Sequence, residues 1–298
     1  MNEERNRRSF LKTSVLLGGG AALAQTHLSK VAAREKQVDS SPCPNETIKT
    51  IQNLRTIHGN FTDKDIPDET IELILQSSIR AANASNTQAY SIIVVKDRQK
   101  MQQVCTYQGS CMLLYCVDRT RMLASAESLG EAFYPDNMGY FVTDCISTSF
   151  AAQTAVIAAR SLGLDCLTTN GIHRGDMQRV WDILDLPEKY CFPLIAVVIG
   201  YPTREPDHRM GRLDGAGIIH RDKYHQLTKE EAEEITRKYD DKDQRLTLDF
   251  GRDWAKQGYK HYLDWYFKSW SGSSKPTEKE TQIYAHLKKS GFVDLRKT

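Results

Sequence analysis

The chain carries no surplus of charge of one sign: 40 Lys and Arg against 38 Asp and Glu leave a formal +2. That balance gives no reason to expect a nucleic acid or an acidic polymer as partner. Its 7 cysteines are an odd number scattered without a metal-ligand spacing, so neither a disulfide framework nor a metal site is expected. Cys111 and Cys116 share one apolar run but have opposite strand parity, which puts them on opposite sides of a sheet, unable to pair. Most of the cysteines read as small buried hydrophobes. The N-terminal apolar stretch, Ser14 to Ala24, is too short to span a bilayer core of about 30 Å as a helix, so no stable membrane span is expected from it. What remains is an ordinary globular balance, 40% hydrophobic and 26% charged, with ample core for one large or two closely packed domains.

Asn6-Arg7-Arg8-Ser9-Phe10-Leu11-Lys12 matches the twin-arginine export consensus, with Asn in place of the usual Ser or Thr, and Ala22-Leu23-Ala24 offers a small-x-small cleavage site. This pattern predicts a signal peptide over 1–24, a polar linker over 25–46, and export by the twin-arginine translocation machinery to the periplasm. A tail that happens to contain Arg-Arg has the same composition. Because that route carries folded proteins, a tightly bound organic cofactor is expected.

The folded part is predicted over 47–224, followed by a helical extension over 225–298. A helix from Thr47 to Leu54 gives way to Arg55-Thr56-Ile57-His58. A guanidinium, a hydroxyl and an imidazole in four residues could hold a phosphate, although an exposed, solvated Arg-Thr pair has the same composition. Ile66-Pro67-Asp68-Glu69 opens a helix whose apolar stripe is Ile71, Ile74, Leu75, Ser78 and Ile79. The polar run Asn83 to Gln88 follows, then a buried strand from Ala89 to Val95. Amides at Asn86 and Gln88 carry both donor and acceptor and could read the carbonyls and imides of a planar heterocycle. A central helix is predicted from Asp144, with Ile146, Phe150, Thr154 and Ile157 at helical spacing and alanines over much of the rest. Gly163 fits a left-handed cap. A short strand, Cys166 to Thr169, ends in Asn170-Gly171. A helix bearing Met177, Val180, Trp181 and Leu184 stops before Pro187, and the apolar run Phe192 to Ile199 predicts a strand buried on both sides.

The order of these pieces resembles the FMN-dependent nitroreductase family. Ala81-Ala82-Asn83-Ala84-Ser85-Asn86-Thr87-Gln88-Ala89-Tyr90 is similar to its Ala-Pro-Ser-Ala-Gly-Asn-x-Gln-Pro-Trp loop. The central helix, Leu184-Asp185-Leu186-Pro187 and Gly200-Tyr201-Pro202 resemble later segments of the same family. Downstream, Arg209-Met210-Gly211-Arg212-Leu213, Ile218 to Tyr224, a helix containing Trp254 and a last helix ending near Phe292 resemble the long-tailed, NADPH-using oxygen-insensitive nitroreductase and flavin reductase group.

The resemblance implies an α+β sandwich, a mostly antiparallel central sheet flanked by helices with a C-terminal helical extension, and a homodimer in which two chains build each flavin site. Arg55, Thr56, Arg209 and Arg212 are then expected to hold the FMN phosphate, with His58 standing where another Arg is usual. Asn86 and Gln88 would face the ribityl chain and pyrimidine edge. Gly171 would bring its backbone amide to flavin N5, with Asn170 in place of a common first glycine. The segment Ala126 to Met138 would lie over the flavin. Ping-pong hydride transfer needs an open stacking slot more than a base, so no catalytic acid or base is named; His173 and His220 read as structural. The implied activity is reduction of small electron-poor acceptors such as nitroaromatics, quinones or flavins. A reductive dehalogenase of the deiodinase-like branch and a non-enzymatic flavin-binding protein are the alternatives. The implied donor is NADPH, for whose 2'-phosphate the tail offers Arg237, Lys238, Lys242, Arg245 and Arg252, whereas export would separate the protein from a soluble nicotinamide pool. NAD(P)H is therefore expected as donor in vitro, with an exported or membrane-bound reductant in the cell.

Overall fold

The computed structural model describes residues 45–206, 209–215, 217–271 and 278–293. The expected leader and nearly all of the expected linker lie outside the described residues. Helix α1, Glu46–Gln52, buries none of its side chains. Helix α2, Asp68–Ser78, starts directly after Pro67, whose φ of -56° suits a helix entry, and turns Ile71, Ile74 and Ser78 inward.

Four strands form one antiparallel sheet in the order β1-β2-β4-β3: β1 Tyr90–Val95, β2 Cys111–Asp118, β3 Asp165–Thr169 and β4 Cys191–Gly200. Between β1 and β2 lies α3, Arg98–Cys105, capped by Asp97, whose carboxylate accepts from the N–H groups of Gln99 and Lys100. β2 is buried along its whole length and β4 nearly so, because each has a strand on both sides and helices on both faces. The apolar run expected over 192–199 is thus the inner strand β4. Period-two alternation then sorts the core. Cys111, Leu113 and Tyr115 face one layer with α2, while Met112, Leu114 and Cys116 face the other, so Cys111 and Cys116 are on opposite sides as expected.

After β2 come α4, Thr120–Ser128, and the long α5, Met138–Ser161. The helix begins at Met138 and not at Asp144, because Asn137 caps it by accepting from the N–H groups of Gly139 and Tyr140. It ends as expected, with Gly163 at φ 79° and the Leu164 N–H returned to Ala159 O. The face that packs is the small one: Ala151, Ala155 and Ala159 are fully buried against the layer of α2 and β2. Ile146 and Phe150, noted for their helical spacing, are each 50% exposed. Alanines win the core position because the backbone of α5 lies close to its neighbours, leaving no room for larger side chains. By length and hydropathy α5 could cross a membrane, yet this packing is that of a core helix.

One buried hydrogen-bond chain fixes the spacing of these elements. Ser78 Oγ donates to Ala151 O at 2.9 Å and, having spent its only proton, must accept from Tyr115 Oη at 2.9 Å. It links α2, β2 and α5, and each such bond contributes about 1 kcal/mol.

On the opposite face α6, Gln178–Leu184, buries Val180 and Trp181. Beyond β4 come α7, Lys229–Asp240, α8, Tyr262–Trp265, and α9, Glu278–Lys289. After α9, Phe292 and Val293 return to the core. The expected helix around Trp254 is replaced by turns and a 3-10 turn at Asp249–Gly251. Of the aromatics there, Tyr262 and Trp265 are buried on α8, and Tyr262 stacks on Tyr239 at 5.8 Å, while Phe267 is 60% exposed.

An Ala155→Leu variant forces extra methylenes into the contact of α5 with the sheet. It should lose roughly 1–3 kcal/mol in urea unfolding, whereas leucine at exposed Gln153 should stay within about 0.5 kcal/mol of the parent.

Candidate functional site

Residues 55–58 run extended beside the start of β3, where Thr56 bridges Cys166 in parallel and the Ile57 N–H donates to Cys166 O at 3.1 Å. Alternation sends Ile57 into the core and leaves Thr56 and His58 exposed on the other side. Arg55 has a different role from the one expected. Its Nε and Nη2 donate to the two carboxylate oxygens of Asp165 at 2.9 and 2.6 Å, and Nη1 and Nη2 donate to Glu205 at 2.5 and 3.2 Å. Asp165 is almost fully buried and takes a third cation contact from Arg160 at 3.0 Å. The Asp165 and Glu205 hydrogen bonds hold the Arg55 guanidinium well above its ordinary range. With four of its five N–H directions given to carboxylates, Arg55 is a structural clamp, and one N–H direction is left for the phosphate contact expected of it.

Cations for a phosphate are found close by. Arg209, Arg212 and Arg245 line a cleft of about 750 Å³ together with Gln52 and Leu54. Arg209 is braced against this wall, donating to Gln52 O and to Asn53 Oδ1 at 3.0 Å. The Gly211 N–H donates to Arg245 O at 3.0 Å, which stitches the 209–212 segment to the turn containing Arg245. Leu54 in this wall is two residues before outward-facing Thr56, and three guanidinium groups against the one carboxylate of Asp243 leave a cationic lining that fits a phosphate monoester.

The loop between α2 and β1 is strained. Ser85, Asn86 and Gln88 all have positive φ, at 50°, 53° and 48°, an uncommon conformation for side chains other than glycine. Asn83 Oδ1 accepts from the Gln88 N–H at 3.1 Å, Ser147 Oγ accepts from the Ala84 N–H at 3.2 Å, and Arg121 Nη2 donates to Thr87 O and Gln88 O. The result exposes the amides of Asn86 and Gln88. Strain held by several outside contacts is the kind of backbone found at ligand sites.

At the end of β3 the turn is closed differently from expectation. The Gly171 N–H donates to Thr169 Oγ1 at 3.0 Å, the residue is buried, and a Cβ here would run into Cys105 O. Glycine is required by that close approach, and the amide assigned to N5 is already paired. Asn170, one residue earlier, is the exposed member of the pair. His173 is buried, with Nε2 at 2.9 Å from Pro193 O and its ring against Phe192. His220 accepts from the His225 N–H and stacks on Tyr224. Neither histidine is placed as an acid or base. Burial pushes the Cys111 and Cys145 thiols up to about 12, far from a thiolate nucleophile at neutral pH. Among the described residues no group of His, Cys, Asp and Glu could hold a metal ion.

No family model matches the chain. The NADPH-dependent FMN reductase of Bacillus subtilis (strain 168) is 31% identical over 190 residues, 60% of this chain and 75% of that protein. The chain belongs to the nitroreductase and NAD(P)H-flavin oxidoreductase family. A second Bacillus subtilis relative, an FMN reductase using NAD(P)H, is 26% identical over 238 residues, 75% of this chain and 93% of its own. The solved NfrA2 structure of B. megaterium superposes with a TM-score of 0.70 at 26% identity, covering 84% of this chain and 98% of that one. As a member of this family the protein is an oxidoreductase of the nitroreductase type, and its fold is that of a nitroreductase.

In this nitroreductase-type chain the segment expected over the flavin is tied down at its base by a pair that sequence reading missed. Arg119, at the start of α4, donates to Asp144 of α5 at 2.6 and 2.8 Å. Both side chains are buried, and the guanidinium lies 4.3 Å from the Tyr140 ring and 5.7 Å from that of Phe133. Burial pushes the Asp144 carboxyl up from its ordinary value while the Arg119 hydrogen bonds pull it back. The only sequence signal was an Asp on the otherwise apolar side of a long helix. In the tail, Arg237 pairs with Glu234, Lys238 with Asp214 and Arg252 with Asp249, so these cations have local partners. Arg245 instead faces the cleft.

Removing the Arg55 clamp separates the two readings of that residue. Arg55→Ala leaves Asp165 buried with Arg160 alone and should cost about 3–5 kcal/mol in urea unfolding. Arg209→Ala, at an exposed position, should change stability by no more than about 1 kcal/mol. An Arg55→Ala protein as stable as the parent but unable to keep a phosphorylated ligand would restore the phosphate role.

Proposed function

We propose that this chain is an exported, homodimeric flavoenzyme that takes electrons from NAD(P)H and passes them to small electron-poor acceptors such as nitroaromatics, quinones or free flavins in a ping-pong cycle. FMN is the cofactor, supplying two-electron hydride chemistry when bound. The observation that carries the reading is the convergence of Arg209, Arg212 and Arg245 on one cleft at the wall that leads into Thr56 and His58. There the guanidinium groups would neutralise the FMN phosphate, Thr56 would add a hydroxyl donor, and His58 a ring N–H. Exposed Asn86 and Gln88 would meet the polar edge of the isoalloxazine, their amides offering donor and acceptor together. Asn170, exposed at the end of β3, takes over the place first given to Gly171. No side chain is assigned as proton donor or base, because burial holds the Cys111 and Cys145 thiols protonated and His173 and His220 are engaged elsewhere.

A second chain is supported by the outer face of α5. Met138, Val142, Ile146 and Phe150 recur every fourth residue and are between 49% and 51% exposed, an apolar ridge suited to a symmetric partner. Dimerisation through it would serve the expectation that two chains complete each site.

Purified mature protein should be yellow with near-stoichiometric FMN. Arg209→Ala/Arg212→Ala should lose most of it while melting near the parent, and Ile146→Glu/Phe150→Glu should elute as a monomer depleted of flavin. A colourless parent that ignores added FMN would overturn the assignment. The export half of the proposal rests on the leader alone. Cell fractionation should find the native protein in the periplasm and an Arg7→Lys/Arg8→Lys leader variant in the cytoplasm, while both NADPH and NADH bleach the flavin in vitro. A native protein that stays cytoplasmic would leave NADPH as the simple physiological donor.

A further inference from the structure

Arg55 has two unlike partners. Asp165, on one edge of the guanidinium, is buried to 1% side-chain exposure and is shared with Arg160, so it is fixed in place. Glu205, on the other edge, is 77% exposed and bonds to no other side chain among the described residues. Its two oxygens accept from Nη1 at 2.5 Å and from Nη2 at 3.2 Å, the end-on fork that two oxygens of a phosphate also take. The contact draws the Glu205 carboxyl below its ordinary range, yet an ion pair this open to water holds only weakly.

This pair stands at the margin of the arginine-lined cleft. Leu54, the chain neighbour of Arg55, lines that cleft, and Arg209 is tied to Gln52 O and Asn53 Oδ1 just before it. Glu205 precedes Arg209 by four residues, in the segment that supplies Arg209 and Arg212. A carboxylate in this place opposes its surroundings: the three arginines attract a phosphate and Glu205 repels one. While it stays, Arg55 keeps one free N–H; were it to swing into solvent, both N–H groups of Nη1 and one of Nη2 would be open to an anion. We infer that Glu205 is a placeholder, its carboxylate and the phosphate of FMN competing for the outer edge of Arg55. The inference rests on the flavin reading and deepens it, because this competition sets how readily FMN leaves. A phosphate dianion brings more charge and more acceptors than a carboxylate and takes the seat, while Glu205, tethered to the chain, is at hand to reclaim it. The inner edge of Arg55 remains the clamp on Asp165 throughout.

The test is a binding measurement: the FMN-loaded protein is diluted, the fluorescence of released FMN gives the dissociation constant, and riboflavin affinity follows from its competition with FMN. Glu205→Gln removes the competing charge at an exposed position and should tighten FMN about fivefold, the upper end for an exposed ion pair. Riboflavin, which has no phosphate, should stay within about twofold of its affinity for the parent. Arg55→Lys keeps the cation and loses the fork, so in that background Glu205→Gln should shift FMN affinity by less than about twofold. Glu205→Asp keeps the charge but withdraws it by one methylene, and should also bind FMN more tightly than the parent; it carries the test if Arg55→Lys does not fold. FMN affinity unchanged or weakened by Glu205→Gln overturns the proposal. So does an equal gain for riboflavin, a gain that persists with Arg55→Lys, or parent-like binding by Glu205→Asp, each of which marks a general field and not a contested seat. A parent that holds no FMN defeats the flavin reading itself, whereas a parent that holds it and is not improved by Glu205→Gln defeats the placeholder alone.

Discussion

A single carboxylate holds the arginine-lined side of this molecule in place. Asp165, at the first residue of β3, is buried to 1% side-chain exposure and is gripped by Arg55 and Arg160. Alone in that position it would be costly to ionise; with two guanidinium groups and a bidentate geometry the pair is tolerated, although it adds little net stability over an apolar substitute. Its value is positional. Arg160 belongs to the last turn of α5, Arg55 to the strand beside β3, and Glu205, which takes the remaining face of Arg55, to the segment that leads toward Arg209. Three segments distant in sequence, the one at Arg55, the junction of α5 with β3 and the one at Glu205, are therefore registered to one another at one point. Thr56 and His58 face outward because Arg55 and Ile57 are pinned inward.

The other half of the site is held by different means. Loop 83–88 has no large charged anchor of its own; it is bent into three left-handed residues and kept there by Asn83, Ser147 and Arg121. Each contact is a modest hydrogen bond, so this half should yield more readily than the clamp around Asp165. The buried Arg119–Asp144 pair supplies rigidity nearby by joining α4, which carries Arg121, to α5, which carries Ser147. A firm cation cradle thus lies apart from a softer amide loop, an arrangement that suits a cofactor held by its phosphate while its ring system faces changing substrates.

Much of this was legible in the sequence, and the misreadings share a cause. The inner strand β4, the entry of α2 at Pro67, the Gly163 cap and the opposite faces of Cys111 and Cys116 follow from local pattern, and local pattern was enough. The assignments that moved depend on partners far along the chain. A guanidinium fits a phosphate and a carboxylate equally well, and only the fold shows that Asp165, 110 residues away, occupies Arg55. Gly171 looked like an open amide donor, but Thr169 closes on it and Cys105 fills the space a side chain would need. Ile146 and Phe150 had helical spacing, yet spacing cannot say which face meets the sheet when alanines line the other. The tail aromatics were dense enough to suggest one long helix, but turns cover the stretch around Trp254 and only the short α8 buries Tyr262 and Trp265.

The same distinction between charge and available charge governs the tail. By composition Arg237, Lys238, Lys242, Arg245 and Arg252 form one basic stretch, a plausible seat for a nucleotide phosphate. In the structure Arg237, Lys238 and Arg252 each meet a carboxylate within 3.1 Å. Such exposed pairs contribute little to stability, but they reduce the net field that an approaching anion would meet. Arg245 escapes this neutralisation because its turn is bonded backbone to backbone with Gly211, which aims it at the cleft shared with Arg209 and Arg212. Available cationic character is therefore concentrated where a cofactor phosphate would be held, and is diluted along α7, where a dinucleotide's 2'-phosphate would have to be distinguished. On this arrangement cofactor retention and donor selectivity draw on different residues, and selection between NADPH and NADH has the weaker structural support.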